Sequence, residues 1–403
     1  MKILYEKEVL SFKNGTLTDV HNMVDEAINE KYRKGEVRII TEQARYPLNT
    51  ILGIVQSEDY ILNPEFQRRH RWDVVKKSKL IESIIMNVPI PPIFLYEISY
   101  SVYEVMDGLQ RLTAIAQFYN NEFKLEGLEE WSELNGYTYS SLPEQVRKGV
   151  DRRYISSIIL LQETAKNETE AKRLKQLVFE RINSGGATLT YQESRNAIYP
   201  GVLNNLCIKL ARDANFCKIW NIPESTELER TKGIITDELV KDPMYSKMED
   251  AELVLRFFAF RQIEKWDNSQ LKSFLDNYLK LGNLYSDELI LKFESLFMAT
   301  TSLIYSLFEE SALWLPRERT KEVEPKWVVY EQPTKVLYDT LMYVISDLLE
   351  HKDLFLSKSK QIREELDGIY RNNSVQFKGR FNKNDITNRI EIISSYFQSI
   401  IKE

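Results

Sequence analysis

The hydrophobic pattern of this 403-residue chain changes near Pro200, and the change restricts the folds that the chain can adopt. Before Pro200, short runs rich in β-branched and aromatic residues alternate with segments of helical periodicity. After Pro200, long helical stretches follow one another, and KWVVYE is a rare strand signal among them. We therefore predict an α+β protein in which a mixed N-terminal part precedes a mainly α-helical C-terminal domain.

Local patterns define the predicted elements of the N-terminal part. Apolar residues at helical spacing predict helices over 17–34, 71–87 and 168–182. The run IFLYEISYSVYEVM, residues 93–106, predicts two strands joined by a tight turn. A further helix is expected to begin at Leu112.

Charge, histidine and cysteine content argue against several classes of protein. The formal net charge is −6, so the basic footprint of a protein wholly devoted to nucleic acid is missing, and DNA contacts would come from local patches. His21, His70 and His351 lie far apart, which argues against a histidine-rich metal centre. Cys207 and Cys217 match no common zinc pattern, and we expect both to be buried thiols.

The sequence contains no signal for a membrane. Its N-terminus, MKILYEKEVLSFKNG, lacks the apolar core of a signal peptide. No segment reaches the roughly 18 apolar residues of a membrane span. We expect a cytoplasmic protein with no membrane partner.

The stretch VMDGLQR, residues 105–111, sets four chemically active residue types between an apolar strand and an apolar helix. The first N–H groups of a helix favour an anion, and Gly108 would let a ligand come close to the backbone. Arg111 could bind phosphate oxygens, Asp107 could hold Mg²⁺ or orient a water molecule, and Gln110 could position that water. The alternative is that Asp107 caps the helix and Arg111 pairs with a nearby carboxylate.

A basic and aromatic segment, NPEFQRRHRWDVVKK, covers residues 63–77. Basic residues beside Phe66 and Trp72 suit phosphate pairing and base stacking. Gln67 and Arg68 are therefore candidate phosphate ligands. The alternative is a solvated basic loop with Trp72 packed in the core.

The stretch FERINSGGATLTYQE follows the third predicted helix. Gly186 and its glycine neighbour can end that helix and allow a turn. Thr190 with Glu193 three positions later predicts a capping box for the next helix. Arg181 and Asn183 are not explained by these structural roles.

A weaker candidate patch lies near the C-terminus, in SVQFKGRFNKNDITNR. Lys378, Arg380, Lys383 and Arg389 are interleaved there with phenylalanines. The patch could contact nucleic acid, and the alternative is a solvated surface.

Three of these stretches together resemble one family. FQRRHRW resembles a Q-R-x-[YF]-x-W signature, VMDGLQR a D-G-Q-Q-R signature, and FERINSGGATLT an Asn-x-Gly-Gly region. Their order and spacing match the N-terminal domain family of GmrSD-type, modification-dependent restriction systems over residues 45–200.

The resemblance implies a fold similar to the ParB and sulfiredoxin domain, and hydrolysis of nucleoside triphosphates tied to recognition of foreign or modified DNA. It implies catalytic roles for Asp107, Gln110 and Arg111, with Mg²⁺ on Asp107. It implies that six further residues bind nucleotide or phosphate: Gln67, Arg68, Gly108, Arg181, Asn183 and Gly186.

This chain departs from the family pattern at two positions and in one module. Leu109 replaces the first Gln of the D-G-Q-Q-R signature, and His70 replaces an aromatic residue. If that Gln contacts nucleotide or water, turnover would be slow here, and Leu109→Gln would raise it. Many relatives carry an HNH nuclease, but residues 201–403 contain one histidine, so we expect DNA cleavage by a separate nuclease subunit.

We predict three segments: an N-terminal helix and lead-in over 1–44, a nucleotide-binding domain over 45–200, and a helical domain for DNA or partner recognition over 201–403. The leading hypothesis is a triphosphate-hydrolysing sensor subunit of a bacterial defence system. One alternative is a module that binds nucleotide or DNA without turnover, and another is a DNA-nicking nuclease. A homo-oligomer is also compatible with this prediction.

Overall fold

The computed structural model describes residues 4–12, 29–30, 39–62, 72–161, 168–183, 190–233, 235–267, 269–319 and 326–403. The chain divides into two compact units. The sheet unit consists of Gly15–Leu189, and the helical unit combines Met1–Asn14 with Thr190–Glu403. The division after residues 44 and 200 stays a prediction about separate domains. Most of the predicted helix over 17–34 lies outside the described residues.

The sheet unit is built on a mixed sheet, which contains five strands within the described residues. They are β1 (Thr41–Pro47), β2 (Tyr60–Ile61), β3 (Ile93–Ser99), β4 (Val102–Asp107) and β5 (Tyr154–Leu160). Their order is β1-β5-β3-β4-β2. The pairs β1/β5 and β3/β4 are antiparallel, whereas β3/β5 and β2/β4 are parallel.

Helices and short 3-10 turns connect these strands. The helices are α1 (Ile51–Gln56), α2 (Val74–Ile85), α3 (Leu109–Tyr119), α4 (Glu144–Asp151) and α5 (Glu168–Asn183). The 3-10 turns are Leu48–Thr50, Ser132–Leu134 and Tyr139–Ser141.

Two predicted features of the sheet unit are confirmed. Strands β3 and β4 form the predicted hairpin, and Ser101 in its turn has φ 61°. Helix α2 begins where the side chain of Asp73 accepts a hydrogen bond from Lys76 N at 2.7 Å. It ends before the proline-rich turn VPIPP, residues 88–92.

One hydrophobic core fills the sheet unit between the sheet and helices α2 and α3. Alternate residues of the strands point into it, as a half-buried sheet requires. Its buried members include Ile93, Leu95, Val105, Leu112, Ile115, Phe118, Ile155 and Ile159. This core fixes the C-terminal end of β4 against the start of α3.

The helical unit contains thirteen helices within the described residues. They are α6 (Tyr191–Ile198), α7 (Val202–Leu210), α8 (Ala214–Trp220), α9 (Glu227–Lys232), α10 (Asp237–Lys241), α11 (Pro243–Ser246), α12 (Glu249–Phe260), α13 (Leu271–Gly282), α14 (Asp287–Phe308), α15 (Lys335–Ser346), α16 (Lys352–Ser357), α17 (Ser359–Asn372) and α18 (Lys383–Lys402). An antiparallel hairpin joins β6 (Trp314–Arg319) to β7 (Lys326–Pro333). The predicted α+β class with a mainly helical C-terminal part is confirmed.

Buried ion pairs hold parts of the helical unit together. Glu8, from the N-terminal segment, accepts hydrogen bonds from the Arg261 guanidinium at 2.6 and 2.8 Å. Arg256 of α12 makes a two-pronged pair with Asp339 of α15. Because all four side chains are buried, loss of one partner would leave an uncompensated charge in the core.

Two local predictions in the helical unit are also confirmed. Thr190 and Glu193 form the predicted capping box at the start of α6. Cys207 and Cys217 are both buried thiols, and burial raises the pKa of Cys217 to about 12. No described helix is long and apolar enough to cross a membrane.

Candidate phosphate-binding site

The turn between β4 and α3 depends on a glycine. Gly108 has φ 96°, in the left-handed region that favours glycine. A Cβ atom at this position would lie 2.4 Å from Cγ2 of Ile93 and 3.0 Å from Nη2 of Arg111. The strand can therefore turn directly into the helix only because residue 108 has no side chain.

Helix α3 begins at Leu109, three residues earlier than the predicted start at Leu112. Gly108 occupies the N-cap position, and its carbonyl accepts the first helical bond from Leu112 N at 3.0 Å. Asp107 is the last residue of β4, so the interpretation of Asp107 as the helix cap is wrong. The first turn of α3 nevertheless lies next to the Asp107 carboxylate.

Arg111 is held by two oxygen atoms. Its Nη2 donates to Oδ2 of Asp107 at 2.6 Å and to the carbonyl oxygen of Pro92 at 3.1 Å. The side chain of Arg111 is 15% exposed and that of Asp107 is 36% exposed. The predicted alternative in which Arg111 pairs with a nearby carboxylate is therefore confirmed.

One nitrogen of the Arg111 guanidinium is buried without a hydrogen-bond partner. This atom is Nε, for which the described part of the chain supplies no acceptor. Buried polar atoms are normally hydrogen-bonded, so an unsatisfied donor on a cation needs an explanation. A bound oxyanion is one group that would satisfy it.

Gln110 connects two of the signature stretches. Its Oε1 accepts a hydrogen bond from the backbone N–H of Trp72 at 3.2 Å. Trp72 is partly buried and packs against the core of the sheet unit, as its structural interpretation predicted. The end of FQRRHRW thus meets the start of α3. Gln67 and Arg68 lie outside the described residues.

Leu109 points into the protein interior. Its side chain is 5% exposed and belongs to the hydrophobic core of the sheet unit. The helix turns the side chain at position 109 towards the sheet, and the effect of Leu109 on turnover stays a prediction. An apolar residue here contributes to packing.

The C-terminal end of α5 carries two further candidates, Arg181 and Asn183. Helix α5 is joined to β4 by Lys175, whose Nζ lies 2.5 Å from Oε2 of Glu104. Because side chains alternate along a strand, Glu104 points away from the core face that receives its neighbour Val105. Arg181 is exposed, and Asn183 is the last residue of the helix. Their site roles, and that of Gly186 outside the described residues, stay predictions.

Sequence reasoning missed one group at this site, the carbonyl oxygen of Pro92. Pro92 lies between α2 and β3, and its carbonyl oxygen accepts a hydrogen bond from the Arg111 guanidinium. No sequence pattern marks a backbone carbonyl, so only the pairing of β3 with β4 could have located it.

The candidate basic patch near the C-terminus is largely absorbed by the fold. Arg389 is buried and donates to the carbonyl oxygens of Gln376 and Arg380 at 3.2 and 3.0 Å. Burial lowers the pKa of Arg389. Lys383 donates to the carbonyl oxygens of Glu264 and Trp266. The segment therefore does not present four cations to a ligand.

Comparison with family models gives one match. Residues 51–200 match the family model described as GmrSD restriction endonuclease, N-terminal domain. The matched range begins at α1, continues through the sheet unit and includes α6. Comparisons with curated proteins and with solved structures gave no match, so the likeness to the ParB and sulfiredoxin fold stays a prediction. The chain therefore carries a domain of the GmrSD N-terminal family over residues 51–200, and this domain indicates a component of a restriction system.

Proposed function

We propose that this chain is a nucleoside-triphosphate-hydrolysing sensor subunit of a restriction system that acts on foreign or modified DNA. Arg111 binds the phosphates, and Asp107 lies beside them. Gln110 holds the adjoining chain segment at Trp72. The helical unit recognises DNA or a partner protein.

The arrangement of Asp107, Gly108 and Arg111 is the observation that carries this proposal. A glycine-dependent turn from strand to helix leaves helix N–H groups beside a partly buried guanidinium. Helix N-termini and arginine are the groups that most often bind phosphate oxygens in proteins. The family match over the same residues supports the assignment to a restriction system.

Magnesium fits this site only together with a phosphate ligand. The described residues contain no group of three or more metal-binding side chains, and Oδ2 of Asp107 already pairs with Arg111. Mg²⁺ commonly binds through one or two carboxylates, with waters and phosphate oxygens completing its shell. In that arrangement Asp107 would hold the ion, which would neutralise phosphate charge.

DNA cleavage is assigned to a separate nuclease subunit. A histidine-rich nuclease centre is not expected from residues 201–403, whose one histidine is His351. His351 lies beside Glu350 and Phe355. The proposed role of this subunit is to couple triphosphate hydrolysis to DNA recognition.

The test measures phosphate release from ATP, GTP, CTP and UTP by the purified chain, in Mg²⁺ or EDTA, with and without modified DNA. Arg111→Ala should weaken nucleotide binding by about 1.5–3 kcal/mol, because it removes a charge-assisted hydrogen bond. Arg152→Ala removes an exposed arginine of the same unit and is the matched control, which should bind as the wild type does. Unchanged affinity in folded Arg111→Ala would overturn the phosphate role of Arg111.

A second candidate function is nucleotide or DNA binding without turnover. One observation favours it: Oε1 of Gln110 is engaged by Trp72 N, and Oδ2 of Asp107 is engaged by Arg111. In this arrangement one acceptor position on each of those two oxygens is already occupied, which leaves fewer positions to orient an attacking water. The two functions separate if the wild-type protein binds a triphosphate while phosphate release stays at background under every condition.

A further inference from the structure

The candidate phosphate site contains its own anion. Oδ2 of Asp107 lies 2.6 Å from Nη2 of Arg111, closer than the second acceptor, the carbonyl oxygen of Pro92 at 3.1 Å. A carboxylate oxygen and a phosphate oxygen satisfy a guanidinium in the same way. Asp107 thus takes the place that a phosphate oxygen would take on this nitrogen.

The backbone places this carboxylate beside Arg111. Asp107 is the last residue of β4, where it pairs with Phe94 of β3. Gly108 then brings the chain round so that Arg111 stands four residues later on the first turn of α3. The turn therefore brings the Asp107 carboxylate and the Arg111 guanidinium together.

We propose that Asp107 is an internal counter-ion that keeps the phosphate site neutral and lowers its affinity until a phosphate displaces it from Arg111. This inference rests on the proposed role of Arg111 as a phosphate ligand. The phosphate would also find a donor in the buried Nε of Arg111, which has no acceptor in the described part of the chain. The displaced carboxylate then lies next to the bound phosphates, where it can hold a metal ion.

The inference predicts an effect opposite to that of removing an ordinary ligand residue. Asp107→Asn keeps the shape of the side chain but removes the charge. It should bind ATP, GTP and pyrophosphate about tenfold more tightly than the wild type in EDTA, which corresponds to about 1.4 kcal/mol. Its phosphate release in Mg²⁺ should fall to background. Binding in EDTA isolates the counter-ion effect, because no metal ion then needs Asp107.

Glu104→Gln provides a matched control on the same strand. Glu104 also pairs with a cation, Lys175, at 2.5 Å, and the substitution changes the net charge by the same amount. Its affinity for the three probes should stay within about twofold of the wild type, since it removes only distant repulsion. The double variant that combines Asp107→Asn with Arg111→Gln should not show the tighter binding of Asp107→Asn.

Isothermal titration calorimetry in EDTA decides the inference. Equal or weaker binding by folded Asp107→Asn, or an equal gain in Glu104→Gln, overturns it. If Asp107→Asn fails to fold, Asp107→Ser is measured in the same way. If Asp107→Asn binds more tightly and the wild type hydrolyses no triphosphate, the counter-ion inference stands and the proposed hydrolase activity is overturned. Absence of binding by wild type and variant overturns both.

Discussion

Leu109→Gln introduces the residue that the resemblance to the D-G-Q-Q-R signature implies at this position, and we expect it to destabilise the sheet unit. The Leu109 side chain is 5% exposed within the core. Loss of its buried apolar surface costs about 1.5–3 kcal/mol. Burial of an amide without a hydrogen-bond partner adds about 1–3 kcal/mol.

The expected loss of stability, about 2.5–6 kcal/mol, is large beside the roughly 5–15 kcal/mol of a whole domain. Because the chain has two compact units, a single unfolding curve would not report the loss cleanly. Hydrogen exchange of peptides from α3, compared with peptides from α12 of the helical unit, reports it locally. The opening equilibrium of α3 should rise by about 100-fold or more.

Leu109→Met is the control, because it conserves apolar volume and should cost less than about 1.5 kcal/mol. Phosphate release is measured on both variants. The reasoning fails if Leu109→Gln keeps wild-type exchange in α3 and hydrolyses triphosphate faster than the wild type. That result would mean that position 109 reaches the ligand.

Three further predictions test other parts of the fold. Gly108→Ala should destabilise the sheet unit by about 2 kcal/mol or more, measured by hydrogen exchange of peptides from α3, because a left-handed residue gains a Cβ atom in a crowded turn. Gly53→Ala, with open space around its Cβ, should not destabilise it. Glu8→Gln should cost the helical unit about 3 kcal/mol, since it removes the charge of the carboxylate that pairs with the buried Arg261, and hydrogen exchange of peptides from α12 measures this loss. Burial and a hydrogen bond to a carboxylate raise the pKa of Tyr139 from 10.0 to about 12, so the neutral phenol favours the folded state and stability should fall as pH rises from about 10 to about 12. Tyr139→Phe lacks this titration, and the urea midpoint of its sheet unit should fall less over that range.

Local chemistry explains why several elements could be predicted from the sequence. The apolar stripe and the Asp73 cap define α2, and the alternation of aromatic and β-branched residues defines the β3–β4 hairpin. The Thr190 and Glu193 capping box depends on residues three positions apart. In each case the interactions that form the element lie within a few residues of each other.

Contacts between distant residues explain what the sequence did not predict. Glu8 and Arg261 are 253 residues apart in sequence, and no local pattern pairs them. The sequence predicts a start of α3 at Leu112. The helix starts three residues earlier, at Leu109, because the left-handed backbone of Gly108 turns the chain into the helix there. No sequence pattern predicts that the side-chain oxygen of Gln110 accepts a hydrogen bond from Trp72 N, and the role of Gln110 in positioning a water molecule stays a prediction.

The direction of each side chain divides the tasks of the signature stretch among its residues. Successive helical residues point about 100° apart, so Leu109 enters the core, Gln110 reaches Trp72, and Arg111 returns to Asp107. Substitutions at 109 and 110 should therefore act first on stability and on the position of the adjoining segment. Substitutions at 107 and 111 should act first on ligand affinity. Asp107→Asn should raise the affinity, and Arg111→Ala should lower it. The stretch from Asp107 to Arg111 can thus carry a leucine at its third position and still keep the charged pair of Asp107 and Arg111.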